Sequence, residues 1–224
     1  MSAATRRDAA VIFDLDGVLI DSEGLQYKAY SEVLARFGVQ VSATEYAAHW
    51  IAAGRGPEYA VERFALPVQP EELRALKHPV YHAILRREVR LMAGAVEALA
   101  RLHPYCALAL ATNSNRDDVG FVMAHLDLRR FFTAVVTRED YTRAKPEPDA
   151  YLAAAARLHA APQACVVVED AYRGVLAAAR AGATVVAVPN SFTRGNDFSL
   201  AAQVLDGLDG LTVELIEQLQ RRRG

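Results

Sequence analysis

The stretch AAVIFDLDGVLIDSE, residues 9–23, holds the feature from which the rest of the chain can be interpreted. Its apolar run, Ala10–Phe13, has the length and composition of a short buried strand. The run ends at one carboxylate, Asp14, and a second, Asp16, follows two residues later. Side chains two residues apart in extended backbone point to the same side. The stretch therefore predicts a strand that ends in two acids directed toward one place.

Further apolar runs with strand character follow along the chain: Cys106–Ala111, Ala134–Thr137, Cys165–Val168 and Thr184–Val188. Helical patterns separate these runs and are predicted over Arg116–Leu126, Pro148–His159 and Ala171–Ala181. Strands that are apolar throughout and alternate with helices are typical of a parallel sheet. We therefore predict an α/β fold in which helices cover both faces of a parallel sheet.

The first two predicted strands are separated by far more residues than one crossover helix needs. The separating segment has helical patterns over Leu25–Phe37, Thr44–Ala52, Pro57–Phe64, Glu71–Val89 and Val96–Leu102. Pro79 is expected to kink or split the fourth of these helices. We predict that residues 23–91 form an inserted helical domain, and that residues 1–22 and 92–224 form the core.

Composition narrows the classes of partner. The formal net charge is −2, so no basic excess favours nucleic acid or an anionic membrane surface. No apolar run approaches the roughly 18 residues of a membrane span. Cys106 and Cys165 both lie in apolar runs and are predicted to be buried free thiols. We expect a soluble, monomeric, cytoplasmic protein.

Polar side chains follow each of the first four predicted strands, at the edge where ligands bind in parallel sheets. They are Asp14 and Asp16, then Thr112, Asn113 and Ser114, then Lys145, and finally Glu169 and Asp170. Taken singly, each is compatible with a helix cap or a solvated turn. Together they are complementary, because crowded acids need a cation and oxygen ligands suit Mg²⁺. A carboxylate nucleophile, a lysine and a hydroxyl donor indicate phosphoryl transfer.

The segments DLDGVLIDS, ATNS, KPEPD and VVVEDAYRGVLAAARAG, in this order and at these intervals, resemble the four motifs of the haloacid dehalogenase superfamily. The inserted helices resemble the helical cap of its phosphoglucomutase-like and phosphoglycolate phosphatase-like branch. This resemblance covers nearly the whole chain. It implies a Rossmann-like core with an inserted α-helical cap, and Mg²⁺ as the cofactor.

The resemblance also implies a role for each matching residue. Asp14 would be the nucleophile that becomes an aspartyl-phosphate, and Asp16 would protonate the leaving group and then activate water. Thr112, with the backbone N–H of Asn113, would hold the phosphoryl oxygens. Lys145 would steady Asp14 and the phosphate.

The implied metal site is formed at the same edge of the sheet. Asp170 would bind Mg²⁺ together with Asp14 and the carbonyl of Asp16. Glu169 would support the ion directly or through water. Because true dehalogenases generally lack the second acid, Asp16 speaks against dehalogenase chemistry.

Candidate substrate contacts in the inserted helices are less distinctive. Arg55 stands between Gly54 and Gly56, in a loop that could bring a guanidinium to an anionic group. A solvated arginine in a turn between helices is the plain alternative. His78 and His82, four residues apart, could suggest a metal, but the sequence shows no third ligand.

We therefore predict a Mg²⁺-dependent phosphatase of a small phosphorylated metabolite, with sugar phosphates among the candidates. A β-phosphoglucomutase-like phosphomutase is the first alternative. Those mutases carry histidine twelve residues after the nucleophile, where this chain has Gln26. A non-catalytic binding or regulatory module is the second alternative, and the intact set of acids speaks against it.

Overall fold

Six parallel strands form one sheet in the computed structural model of the chain, which describes residues 9–221. The strands are β1 (Ala9–Phe13), β2 (Cys106–Ala111), β3 (Ala134–Val136), β4 (Cys165–Glu169), β5 (Thr184–Ala187) and β6 (Gln203–Val204). Their order across the sheet is β3-β2-β1-β4-β5-β6. The five predicted strands are present, and the predicted parallel α/β fold is confirmed. The edge strand β6 is exposed and only two residues long, which is too short to leave a pattern in the sequence.

The alternation of side chains along the strands builds a separate apolar core on each face of the sheet. Val11 and Phe13 of β1 pack on one face with residues of the helices that follow β1 and precede β2. Ala10 and Ile12 pack on the other face, where Tyr151 and Val175 cover them. Burial on both faces explains why the strands are apolar throughout.

The helices between residues 23 and 88 pack around an apolar cluster that includes Tyr30, Leu34, Tyr46 and Leu73. They are α1 (Glu23–Ala35), α2 (Ala43–Tyr46), a π-helix (Ala47–Ala52), α3 (Gly56–Phe64) and α4 (Pro70–Glu88). We call residues 23–91 the cap. Its limits, and the extent of the core from residue 1 to 224, stay predictions, and residues 1–8 and 222–224 lie outside the described part of the chain.

The structure bears on two expectations for the cap. The helix predicted over Thr44–Ala52 is a single α-helical turn followed by a π-helix. Pro79 lies inside α4, which continues through it, so the helix is not split, and the expected kink stays a prediction. Buried Leu73 and Tyr81 stand on either side of the exposed Pro79, so packing holds both halves of the helix in place. Tertiary packing thus outweighs the hydrogen bond that proline cannot make.

The remaining helices belong to the core and connect or follow its strands. They are α5 (Ala95–Leu102), α6 (Arg116–His125), α7 (Asp149–Arg157), α8 (Tyr172–Arg180) and α9 (Val213–Arg221). Cys106 and Cys165 are buried free thiols, as predicted. None of the helices between residues 9 and 221 combines the length and hydropathy that crossing a membrane requires.

Candidate active site

The register of the sheet brings the polar residues at the strand ends together. Phe13 of β1 is opposite Leu110 of β2 on one side and Val168 of β4 on the other. Asp14 is the next residue after Phe13, so it stands between the ends of both neighbouring strands. Its backbone N–H donates to the carbonyl of Val168 at 3.0 Å. The side chain of Asp14 is buried at this position.

Lys145 joins the two strand ends from a loop that precedes α7. Its Nζ atom lies 2.5 Å from Oδ1 of Asp14 and 2.7 Å from Oε1 of Glu169. The third donor of the ammonium group reaches the carbonyl of Ala111 at 3.0 Å. The Tyr151 hydroxyl also donates to Oε1 of Glu169. Lys145 is buried and fully engaged, so its position relative to Asp14 is fixed by three acceptors.

Three buried carboxylates, Asp14, Glu169 and Asp170, offer oxygen atoms within 4.8 Å of one another. Burial raises the pKa of Asp14 to about 8, although the Lys145 ammonium opposes this shift. Burial also raises the pKa of Asp170 well above its ordinary value, and the Glu169 carboxylate adds to the effect. One ammonium group cannot balance three carboxylates in so small a volume. A hard cation held by oxygen atoms would do so, and these residues therefore fit Mg²⁺.

Asp16 is held by the loop that follows β2. The Ser114 hydroxyl donates to Oδ2 of Asp16 at 2.6 Å, and the Thr112 hydroxyl lies 3.3 Å from the same atom. Oδ1 of Asp16 is buried and has no hydrogen-bond partner among the residues that the structure describes. An acid with one tethered and one unengaged oxygen is suited to moving a proton.

Asn113 links the loop after β2 to the loop that carries Lys145. Its side-chain carbonyl accepts from the Tyr141 hydroxyl at 2.7 Å and from the backbone N–H of Lys145 at 3.2 Å. The structure thus brings Thr112, Asn113 and Lys145 to the same edge of the sheet as Asp14. Their roles in catalysis stay predictions.

A cleft of about 520 Å³ lies above this edge, between the core and the cap. The cap contributes aromatic, charged and amide side chains to its walls, including Glu23, Gln26, Tyr30, Trp50 and Lys77. Burial raises the pKa of Glu23 to about 7 and lowers the pKa of Lys77 to about 8. The Lys77 ammonium lies 4.2 Å from the centre of the Tyr81 ring. The cleft therefore offers groups that can hydrogen-bond or attract a polar, anionic substrate.

Arg55 does not join the cleft in this structure. Its side chain is 65% exposed and contacts Glu62 at 3.4 Å. Two other arginines line the cleft, Arg74 of α4 and Arg173 of the core helix α8. The Arg173 guanidinium donates to the carbonyl of Gly54 at 3.0 Å and to the carbonyl of Lys145 at 2.6 Å. The structure thus places Arg55 outside the cleft, and its predicted contact with the substrate stays a prediction.

The two histidines of the cap helix α4 connect the cap to the core instead of lining the cleft. Nδ1 of His82 lies 2.5 Å from Oδ1 of Asp118 in α6, and Nε2 of His78 lies 2.7 Å from Nδ2 of Asn115. Nε2 of His82 accepts from Arg86 at 2.7 Å. Among the described residues, the group with metal-ligand spacing is the acid cluster of the core and not these histidines.

Four residues of the site were not assigned a role from the sequence. Ser114 was noted only as part of the loop after β2. Asn190 follows β5 and donates to Oδ2 of Asp170 at 2.8 Å, so extending the strand-end rule to the fifth strand would have found it. Tyr151 and Arg173 lie inside helical patterns, and no local signal marks them.

Comparison with known proteins identifies the family. The Haloacid dehalogenase-like hydrolase family matches residues 11–188. The chain is 32% identical over 192 residues to the fructose-1-phosphate phosphatase YqaB of Escherichia coli, covering 81% of this chain and 97% of that protein. It is 29% identical to the bifunctional riboflavin kinase/FMN phosphatase of Arabidopsis thaliana, of whose length it spans 55%.

Solved structures agree with the sequence comparison. CbbY from Rhodobacter sphaeroides, in complex with phosphate, superposes with a TM-score of 0.79 at 25% identity over 93% of this chain and 99% of that one. A candidate β-phosphoglucomutase from Thermotoga maritima gives a TM-score of 0.69 at 26% identity, covering 96% of this chain and 97% of that one. The chain belongs to the haloacid dehalogenase-like hydrolase family, and the predicted family is confirmed. It is accordingly an enzyme of the hydrolase class.

Proposed function

We propose that the chain is a Mg²⁺-dependent phosphatase that hydrolyses small phosphorylated metabolites, with sugar phosphates as the substrate class, through an aspartyl-phosphate. The observation that carries this proposal is the contact of the Lys145 ammonium with Oδ1 of Asp14 at the floor of the cleft. The contact orients a buried carboxylate, and the cleft above it is large enough for a small ester. The phosphatase names of relatives such as YqaB support the reaction class.

The residues can divide the reaction into two steps. In the first, a carboxylate oxygen of Asp14 bonds to phosphorus while the bond to the leaving oxygen breaks, and Asp16 gives that oxygen a proton. In the second, Asp16 takes a proton from water, whose oxygen attacks phosphorus and releases phosphate from Asp14. The hydroxyl of Thr112 and the backbone N–H of Asn113 would hold the phosphoryl oxygens during both steps.

Asp14, Glu169 and Asp170 would hold Mg²⁺, with the carbonyl of Asp16 as a further ligand. When bound, the ion would neutralise charge on the phosphoryl group and on the acids. Lys145 would keep Asp14 aligned with phosphorus.

Hydrolysis is favoured over transfer to a sugar because Gln26 lines the cleft at the position where the β-phosphoglucomutases carry histidine. A glutamine can hydrogen-bond, but it cannot relay a proton near neutral pH as histidine can. We propose that water, rather than a sugar hydroxyl, accepts the phosphoryl group from Asp14. The likeness to the candidate mutase of Thermotoga maritima makes this distinction worth testing.

A phosphate-release screen over a broad panel of phosphorylated metabolites, run with Mg²⁺, tests the reaction class. We expect release from one or more sugar phosphates, and none from the same panel with Asp14→Asn. Release that survives this substitution would exclude Asp14 as the nucleophile. Absence of release from every ester would favour the non-catalytic alternative.

A coupled assay separates the phosphatase from the mutase. β-Glucose 1-phosphate is supplied with a trace of glucose 1,6-bisphosphate, and glucose 6-phosphate and free phosphate are followed in parallel. We expect free phosphate or no product, without appreciable glucose 6-phosphate. Accumulation of glucose 6-phosphate much faster than phosphate would establish the mutase and show that Gln26 does not prevent transfer.

A further inference from the structure

Arg173 connects the core helix α8 with the cap and with the loop that carries Lys145. It projects from the first turn of the core helix α8 into the cleft. Its Nη1 donates to the carbonyl of Gly54 in the cap at 3.0 Å, and its Nη2 donates to the carbonyl of Lys145 at 2.6 Å. The planar fork of a guanidinium can hold two carbonyl groups at a fixed separation. The position of the cap loop is thereby tied to the loop of the lysine that orients Asp14.

The cap loop is shaped to receive this guanidinium. Gly54 has a φ of +63°, which disfavours residues with a side chain. A Cβ atom at Gly54 would lie 1.9 Å from Nη1 of Arg173. Any side chain at this position would therefore expel the guanidinium from its place. Glycine is needed here both for the backbone conformation and for the close approach of Arg173.

The same helix offers a contrast that isolates the contact with the cap. Arg180, two turns further along α8, donates to the carbonyl of Pro146 at 3.1 Å and to Glu147 at 3.1 Å. Both of its partners follow Lys145 in the chain, and neither they nor Arg180 line the cleft. Arg180 therefore contacts neither the cap nor the cleft, whereas Arg173 contacts both.

We propose that Arg173 is a positioning residue that docks the cap loop at Gly54 onto the Lys145 loop and so sets the closed position of the cap over the substrate. The kinetic part of this proposal rests on the proposed phosphatase function. Each Nη atom of Arg173 is engaged by a neutral backbone carbonyl, which is the arrangement expected of a docking contact. A substrate-binding arginine would instead present its donors to an anion.

Arg173→Lys keeps the positive charge but removes the planar guanidinium. A single ammonium group cannot hold both carbonyl groups in the same geometry. We expect KM for the best ester of the screen to rise about tenfold, the size expected for a lost hydrogen bond from a charged donor. The change for p-nitrophenyl phosphate should be smaller, since that ester offers the cap little to hold. Arg180→Lys is the matched control and should leave both KM values near those of the wild type.

Trp50, the only tryptophan of the chain, provides a measurement that needs no activity. It lies in the cap and lines the cleft, so a less closely docked cap should expose it. Arg173→Lys should raise quenching of its fluorescence by acrylamide, and Arg180→Lys should not. If no ester is hydrolysed by any variant, the proposed function fails, while the quenching data still decide whether Arg173 docks the cap.

A second substitution tests the contact from the side of the cap. Gly54→Ala should raise KM in the wild type, because its methyl group displaces the guanidinium. In an Arg173→Ala background the collision is gone and only the backbone strain at a φ of +63° remains, so Gly54→Ala should raise KM by clearly less than it does in the wild type. Equal effects of Gly54→Ala in both backgrounds would overturn the proposal. Unchanged quenching and unchanged KM in Arg173→Lys would also overturn it. A rise in KM confined to esters with a second anionic group would do the same.

Discussion

Replacing Gly174 with alanine should damage the active site even though the change favours helix formation. Gly174 lies in the first turn of α8, directly behind the carboxylate of Glu169. A Cβ atom at this position would stand 1.8 Å from Oε1 and 1.9 Å from Cδ of Glu169. The carboxylate would have to retreat by about 1.6 Å to reach ordinary van der Waals contact. It cannot do so without leaving Lys145, 2.7 Å away, and the hydroxyl of Tyr151.

Two opposing contributions to the free energy of unfolding of Gly174→Ala differ enough in size to show that the variant is less stable. Glycine to alanine in a helix gains at most about 1 kcal/mol. Breaking a buried ion pair while one charge stays behind costs about 3–5 kcal/mol. The variant should therefore be less stable by about 2–4 kcal/mol, and Tm should fall by roughly 5–15 °C. Turnover should fall by about 100-fold or more, because Lys145 loses an acceptor that aligns it with Asp14.

Gly120→Ala is the control, because Gly120 lies inside α6 and an added Cβ would meet nothing within 4 Å. This variant should gain up to about 1 kcal/mol and raise Tm by a few degrees. Both variants can be compared by thermal unfolding followed by circular dichroism, and by phosphate release at saturating substrate. If Gly174→Ala behaves like Gly120→Ala, the close packing of Glu169 against α8 is wrong.

Three further predictions concern the chemistry of the cleft. Asp14→Asn should keep the Tm within a few degrees but lower turnover by about a thousandfold or more, because an amide is a poor nucleophile; near-normal phosphate release would contradict this. EDTA should abolish activity, Mg²⁺ should restore it and Ca²⁺ should inhibit, since Ca²⁺ takes more ligands at longer distances; full activity in metal-free buffer would exclude the proposed metal site. Burial lowers the pKa of Lys77 to about 8, so its charge is lost as the pH rises through that value and KM for anionic esters should rise. Lys77→Met should show a high KM without this alkaline rise, and an unchanged pH profile would exclude Lys77 as its source.

The convergence of the strand-end residues could be predicted from the sequence because it depends on topology alone. In a parallel sheet the carboxyl ends of neighbouring strands meet at one edge, whatever the details of packing. Asp14, Thr112 and Glu169 each come directly after, or end, an apolar strand, so their proximity follows from the strand assignment. Lys145 was harder to place, because its loop is long. The order of the strands assigned it to the end of the third strand, and the resemblance to the family then implied its role beside Asp14.

The features missed by the sequence depend on how the cap sits on the core. A glycine-flanked arginine marks a loop that can approach a ligand, but it does not show which side of the loop faces the core. In the structure the carbonyl of Gly54 faces inward and Arg55 faces solvent, so a core arginine occupies the place expected for Arg55. Arg173 has no distinguishing neighbour in the sequence, since arginine is an ordinary residue on a helix surface.

The short segment from the end of β4 to the first turn of α8 serves the metal site, Lys145 and the cap together. Glu169 ends β4, Asp170 follows it, and both supply carboxylates to the cluster. Arg173, three residues later, reaches both the cap and the loop of Lys145. Gly174 leaves the space in which the Glu169 carboxylate lies. A shift of this single turn would therefore disturb the metal site, the lysine and the docking of the cap together. It follows that substitutions in this turn should alter catalysis and cap position jointly, whereas substitutions at the far end of α8, such as those at Arg180, should affect neither strongly.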